Sequence, residues 1–231
     1  MNFPENATVV VVHGAWADGS SWQAIVGPLE DRGLNVIAAP IPLTSLSDDT
    51  AALNRTIART QGPVIVAGHA YAGAVIATAN DDRVKALVYI AELAPDEAET
   101  VAHVFYKDES HPKAPKLAPD ADGFIWMPDE AFADAFAQNA TREQLALAKA
   151  VQRPISVKSI QEPAPAPAWK TKPTWYLIAE DDRMINPKTQ RFMAERMKAR
   201  VKSFAVDHTP LLTAPVKVVD IILEAAEETL S

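Results

Sequence analysis

Six short runs of β-branched and other apolar residues, separated by longer amphipathic stretches, set the strongest limit on how this chain can fold. The first, Thr8–Val12, is almost pure valine, as expected of a strand covered on both faces of a parallel sheet. Similar runs follow at Asn35–Ala39, 63–67, Val84–Ile90, Thr174–Ala179 and 201–206. Helical periodicity lies between and after them, at 21–32, 48–60, 71–80, 187–198 and 214–229. Strand, helix, strand in this order implies right-handed crossovers and a mostly parallel sheet of about six strands flanked by helices. The fold class is α/β.

The alternation breaks once. Residues 95–168 contain no convincing buried strand, only helical fragments at 129–139, 141–151 and 155–160 that end in the run EPAPAPAW. A helical cap insertion over the sheet's edge, within one domain spanning 1–231, accounts for this. The alternating Ala-Pro run reads as a stiff extended connector or a solvated loop.

Length and composition narrow the functional classes. The chain has 231 residues, enough for one sizeable core. Its formal charge of −8 is spread along the sequence, leaving no basic stripe to neutralise phosphates, so nucleic acid is not an expected partner. No cysteine is present, which removes disulfides, thiolate catalysis and Cys-based zinc sites. The start MNFPENATVV has no basic n-region, and no apolar run approaches the roughly 18 residues of a membrane span. The expected location is cytoplasmic and the expected partner a small-molecule substrate or ligand, with no membrane and no cofactor. A homodimer through the insertion or an edge strand is compatible with the sequence.

The chemistry concentrates at four places. Gly68-His69-Ala70-Tyr71-Ala72-Gly73 follows the third strand and opens a helix. Such a strand-to-helix turn strains its central residue and lifts that side chain above the sheet, with small residues needed two positions either side. Gly68 and Ala72 meet that need: the shape of a nucleophile elbow is present, and its hydroxyl is not. His13-Gly14-Ala15-Trp16 ends the first strand and continues as Gly19-Ser20-Ser21-Trp22. Glu180-Asp181-Asp182-Arg183-Met184-Ile185 follows the fifth strand, and Asp207-His208-Thr209-Pro210 the sixth.

These four landmarks, in this order, resemble the small plant-type and bacterial esterases of the α/β-hydrolase superfamily, the group of methyl-salicylate esterases and hydroxynitrile lyases. The resemblance runs from about Thr8 to Leu223. It implies an elbow GHSxGG where this chain has GHAYAG, so Ala70 occupies the nucleophile position. It implies that the backbone N–H groups of Ala15 and Tyr71 form an oxyanion hole, worth about 3–4 kcal/mol per donor. His208 becomes the general acid/base and Asp182 its partner, preferred over Asp181 because the DRxI pattern falls there. His13 and His69 read as structural. His103 and His111 lack ligand-like neighbours, and no metal site is expected.

A designed serine knock-out would alter one residue only. Ala72 also departs from the family's glycine, which favours a natural variant. Without the serine, acyl-enzyme chemistry cannot occur at position 70. Removing it from a triad typically costs about 10⁶ in turnover. A pure binding protein has no need of an aspartate–histidine pair, so hydrolysis of a small, largely apolar ester or lactone by activated water ranks first. A cofactor-free lyase or isomerase with His208 as general base ranks second, and a catalytically silent ligand-binding protein third. Trp16, Tyr71, Phe124, Trp126 and Phe132 are candidate pocket residues or, equally, insertion core. Glu92 closes the strand ALVYIAE where the family has a small residue; it points either toward the site or, as strand ends more commonly do, into solvent. Dinucleotide binding is set aside because HGAWADGSS follows the first strand instead of GxGxxG. Haloalkane dehalogenation would need a carboxylate at the elbow.

Overall fold

The structure is a computed structural model that describes residues 3–230. Six strands form one parallel sheet in the order β2-β1-β3-β4-β7-β8. They are β1 (Thr8–Val12), β2 (Asn35–Ala39), β3 (Val64–His69), β4 (Val84–Ile90), β7 (Thr174–Ala179) and β8 (Arg200–Phe204). The valine run of β1 lies between β2 and β3, with Thr8 opposite both Asn35 and Val64. All five β1 residues are buried.

Two apolar layers cover the sheet, and successive residues of each strand alternate between them. Val9 and Val11 face α1 (Gln23–Glu30) and α10 (Pro215–Leu230), alongside Ile25, Leu29, Ile221 and Ile222. Val10 and Val12 face α2 (Leu46–Ala58), α3 (Ala72–Ile76) and α8 (Pro187–Arg196), alongside Leu53, Val75 and Met193. Each fully buried side chain of this size contributes about 1.5–3 kcal/mol, so the valine runs anchor both layers at once. No helix among the described residues is long and apolar enough to cross a membrane.

Between β4 and β7 lie α4 (Val101–Phe105), α5 (Asp129–Ala131), a π-helical turn at Phe132–Phe136, α6 (Arg142–Ala150) and α7 (Val157–Gln161). Contrary to the helix expected at 155–160, Ile155–Ser156 is a short strand (β6) paired antiparallel with β5 (Phe124–Ile125), and α7 begins only after it. Two-residue strands leave no periodicity to read. The proline-rich stretch is pinned at Ala164, whose carbonyl accepts the Ala98 N–H (2.9 Å) and whose N–H donates to the Glu99 carbonyl (2.7 Å), while Pro163, Pro165 and Ala166 stay exposed. The helix expected at 71–80 is only Ala72–Ile76, because the Thr78 hydroxyl bonds the Val75 carbonyl at 2.7 Å and turns the chain toward β4. The remaining helix, α9 (Pro210–Thr213), follows the loop after β8.

Candidate active site

Every chemical landmark sits at the carboxyl end of the sheet, where open α/β sheets leave room for ligands. At the end of β3, Ala70 takes φ +56°, a left-handed backbone unusual for a residue with a Cβ. Its N–H bonds the Ile90 carbonyl and its carbonyl accepts the Leu93 N–H at 2.9 Å, so the turn is held from β4. Neighbouring backbones approach closely: a Cβ on Gly14 would lie 2.8 Å from the His69 carbonyl oxygen and 3.1 Å from the Ala70 methyl. A Cβ on Gly68 would run into the Glu92 carboxyl group.

The histidine is fixed on three sides. His208 Nδ1 lies 2.8 Å from Asp182 Oδ2, and both residues are buried. Asp182 Oδ1 accepts the N–H groups of Met184 (2.7 Å) and Ile185 (2.9 Å), while Gln190 Nε2 donates to Oδ2 at 2.8 Å. Four hydrogen bonds therefore orient one carboxylate, and a carboxylate so placed selects the Nδ1–H tautomer of His208. Asp181 has no such place; its N–H bonds Val206 and its carbonyl accepts from Gln138. Behind His208, its own carbonyl accepts from His69 Nε2 at 2.7 Å. Next to it, Asp207 accepts from Asn139, Thr209 and Thr213, stapling the loop to the β4–β7 segment.

Ala15, Ala70, Tyr71 and His208 share one cavity of about 90 Å³ with Trp16, Phe136 and a set of aliphatic side chains that includes Leu93, Val101 and Ile155. Among the described residues, the N–H groups of Ala15 and Tyr71 bond no protein acceptor. No charged side chain lines the space. A second cavity of about 380 Å³ lies on the far side of Trp16 and Phe136, against Asp18, Ser20, His69 and Leu147. Trp16 has φ +58° and is clasped to the β4–β7 segment by its N–H to Arg153 C=O (3.0 Å) and its indole N–H to Ile125 C=O (2.9 Å).

Not every residue singled out by sequence reaches the cavity. Trp126 is half exposed and spends its indole N–H on Asp120 Oδ2 at 3.2 Å. Phe132 is fully buried and packs edge-on against Phe136, and Phe124 is part of β5. Glu92 faces neither the cavity nor solvent: it is wholly buried under α3, and among the described residues neither carboxyl oxygen finds a hydrogen-bond partner. Burial holds its pKa well above the usual carboxylate range.

Sequence reasoning overlooked two residues. Phe136 separates the cavities, its ring 5.4 Å from that of His208. Asp49 on α2 is fully buried and accepts the Tyr71 hydroxyl at 2.6 Å and the Leu43 N–H at 2.7 Å. Burial raises Asp49 to about 6, against the lowering effect of those two bonds. The same burial lowers His13 to about 4 and, with the charge of His208 in second place, His69 to about 3. Among the described residues, no three His, Cys, Asp or Glu side chains are grouped to hold a metal ion.

Comparison with known proteins agrees with the fold. A profile of the alpha/beta hydrolase family matches residues 9–221. No curated protein matches the chain by sequence. Among solved structures, a pyrethroid hydrolase from Sphingobium faniae JZ-2 superposes with a TM-score of 0.83 at 23% identity, over 96% of this chain and 97% of that one. Polyneuridine aldehyde esterase gives 0.78 at 18% identity, over 95% and 98%. An extracellular alpha/beta-hydrolase from a Paenibacillus species, described as homologous to tobacco salicylic acid binding protein 2, gives 0.78 at 19% identity, over 95% and 98%. With most of its length matched and the sheet order in hand, the chain belongs to the alpha/beta hydrolase family.

Proposed function

We propose that this protein hydrolyses a small, uncharged, largely apolar ester or lactone by direct attack of water. The observation that carries the reading is the buried Asp182–His208 pair, bonded at 2.8 Å, whose histidine shares a cavity with Ala70. The methyl leaves free the space a serine hydroxyl would fill. A water there would give its proton to His208 Nε2 while its oxygen bonds the carbonyl carbon. The carbonyl π electrons move onto oxygen, which the Ala15 and Tyr71 N–H groups would receive. Collapse expels the alkoxide, which takes the proton back from the imidazolium. Asp182 stabilises the cation without becoming protonated.

The lining supports the choice of substrate. A cavity without a charged side chain desolvates an anionic or cationic substrate without return, whereas one carbonyl oxygen finds two amides. Turnover is expected to be slow, because a site that keeps everything except its nucleophile retains about 10³–10⁴ over water.

A panel of aryl esters tests the reading with three proteins: the chain with Ala70, Ala70→Ser and His208→Ala. The expected order is slow hydrolysis, faster hydrolysis with an acyl-enzyme burst, and none above background. If neither substitution changes turnover or ligand binding, the assignment of the site is wrong. If His208→Ala instead abolishes exchange of an acidic substrate C–H while no ester is cleaved, the histidine serves as a carbon base and the protein is a lyase or isomerase.

A further inference from the structure

We propose that Asp49 is a positioning residue for this site: one buried carboxylate fixes the Tyr71 end of the elbow and, through Leu43, the β6 wall of the cavity. The part that concerns the elbow rests on the proposed use of the Tyr71 amide as an oxyanion donor.

A carboxylate with no exposure is expensive to bury and persists only where its oxygens are matched. Asp49 divides its two oxygens between two segments. Oδ2 accepts the Tyr71 hydroxyl at 2.6 Å and Oδ1 the Leu43 N–H at 2.7 Å. Its position in the first turn of α2, capped by Ser45, favours negative charge there.

Each arm ends at the cavity. Tyr71 follows Ala70 directly and is part of the cavity lining. With the hydroxyl tethered, the rigid ring acts as a strut that sets the Cα–Cβ direction and hence the aim of the neighbouring amide. On the other arm, Leu43 is fully buried at φ +62°, a conformation that costs a branched residue about 1–3 kcal/mol unless something holds it. Its N–H goes to Asp49 and its carbonyl accepts the Ser156 N–H at 2.9 Å. Ile155, the other residue of β6, is part of the cavity wall. The separation between the elbow amide and the opposite wall therefore passes through one side chain on α2, a helix that does not itself reach the cavity.

The test compares Tyr71→Phe, Asp49→Ala, Asp49→Asn and the Tyr71→Phe/Asp49→Ala double variant, all in Ala70→Ser enzyme assayed with phenyl acetate. Loss of a hydrogen bond to a charged group predicts that Tyr71→Phe and Asp49→Ala each lower kcat by about tenfold, with KM within about twofold. The double variant should be no slower than Asp49→Ala, because both changes cut the same strut. Asp49→Asn, which keeps the shape and one acceptor, should recover part of the rate. Additive losses, or an Asp49→Ala enzyme that melts earlier but turns over at the parental rate, overturn the proposal. Should Asp49→Ala not fold, the same cycle run with Asp49→Asn decides by the same criterion. Amide exchange at Ser156 supplies a readout independent of catalysis: Asp49→Ala speeds it and Tyr71→Phe does not. If the Ala70→Ser parent hydrolyses no ester, the esterase reading falls, and an unchanged Ser156 amide in Asp49→Ala would separately sink the clamp.

Discussion

His69 Nε2 lies 2.7 Å from the carbonyl oxygen of His208, so the residue just before the elbow holds the backbone of the histidine that faces it. A carbonyl only accepts, which puts the His69 proton on Nε2. Replacing His69 with leucine removes the donor and strands a buried carbonyl. In the Ala70→Ser enzyme, His69→Leu is expected to lower kcat by about tenfold, and His69→Gln, which can still donate, by less. A rate for His69→Leu equal to the parent's would show that the loop is held without this bond.

The buried histidines make acid destabilising, and the buried carboxyl groups oppose them. His13 and His69 stay neutral down to about 4 and about 3, whereas in the unfolded chain they protonate near 6.5. Between those limits the unfolded state binds more protons, so stability falls as the pH drops. Asp49 works the other way: raised to about 6, it takes up its proton in the folded state first and gains stability on acidification from 6 toward 3.8. With Glu92 replaced by Met, which removes another buried group whose raised pKa acts as that of Asp49 does, two histidines against one aspartate leave a net loss of about 1.4 kcal/mol per pH unit between pH 6 and 4. Urea midpoints at pH 6, 5 and 4 measure the slope. His13→Asn should flatten it, since one histidine and one aspartate then nearly cancel.

Glu92 predicts a loss at the opposite end. Its pKa lies well above 4.5 in the fold, so its contribution is intact below the unfolded value and is lost as pH rises toward the folded one. Glu92→Met keeps the length and removes the orphaned oxygens; it is expected to raise the urea midpoint at pH 8 more than at pH 5. An equal shift at both pH values would mean that the carboxyl group is not the source.

The same carboxyl group dictates glycine at position 68. Gly68→Ala should destabilise by about 1–3 kcal/mol, the range for an overpacked core, and adding Glu92→Ala should recover most of it. Independent, additive losses in the thermal midpoints would place the clash elsewhere.

Phe136 makes a prediction about selectivity. It separates cavities of about 90 and 380 Å³. Phe136→Ala should join them and raise kcat/KM for aryl octanoates relative to aryl acetates by about tenfold or more, the effect of several methylene groups gaining an apolar pocket. An unchanged ratio would mean that long chains leave by another route. The π-helical turn carrying Phe136 is the kind of local irregularity that recurs at functional sites.

The sheet could be read from sequence because its strands announce themselves twice, as valine-rich runs and by spacing between amphipathic helices. Asp182 and His208 were legible for a different reason: each sits in a short motif just past a strand, and strand ends converge in this fold. The limits were set by side-chain direction. Glu92 lies two residues past the end of β4, but whether it turns toward cavity, solvent or α3 depends on the space that Gly68 leaves, a fact of packing. Asp49 was hidden within the ordinary capping sequence SLSDD, where either aspartate could serve the helix terminus. Trp126 looked like a pocket aromatic, and only its neighbour Asp120 shows why it turns outward.

Helix α6 covers the larger cavity, and none of its nine residues is buried. Unwinding it would bring into water only the half-buried Leu145 and Ala148, which pack on the core beneath, so it is a wall that opens at modest cost. Its tether is the Gln144 side chain, bonded to the Leu212 carbonyl at 3.0 Å. Traffic in and out of the protein would then be metered by how often one side-chain hydrogen bond and two apolar contacts let go together, and a protease offered the native protein would find its first cleavage there.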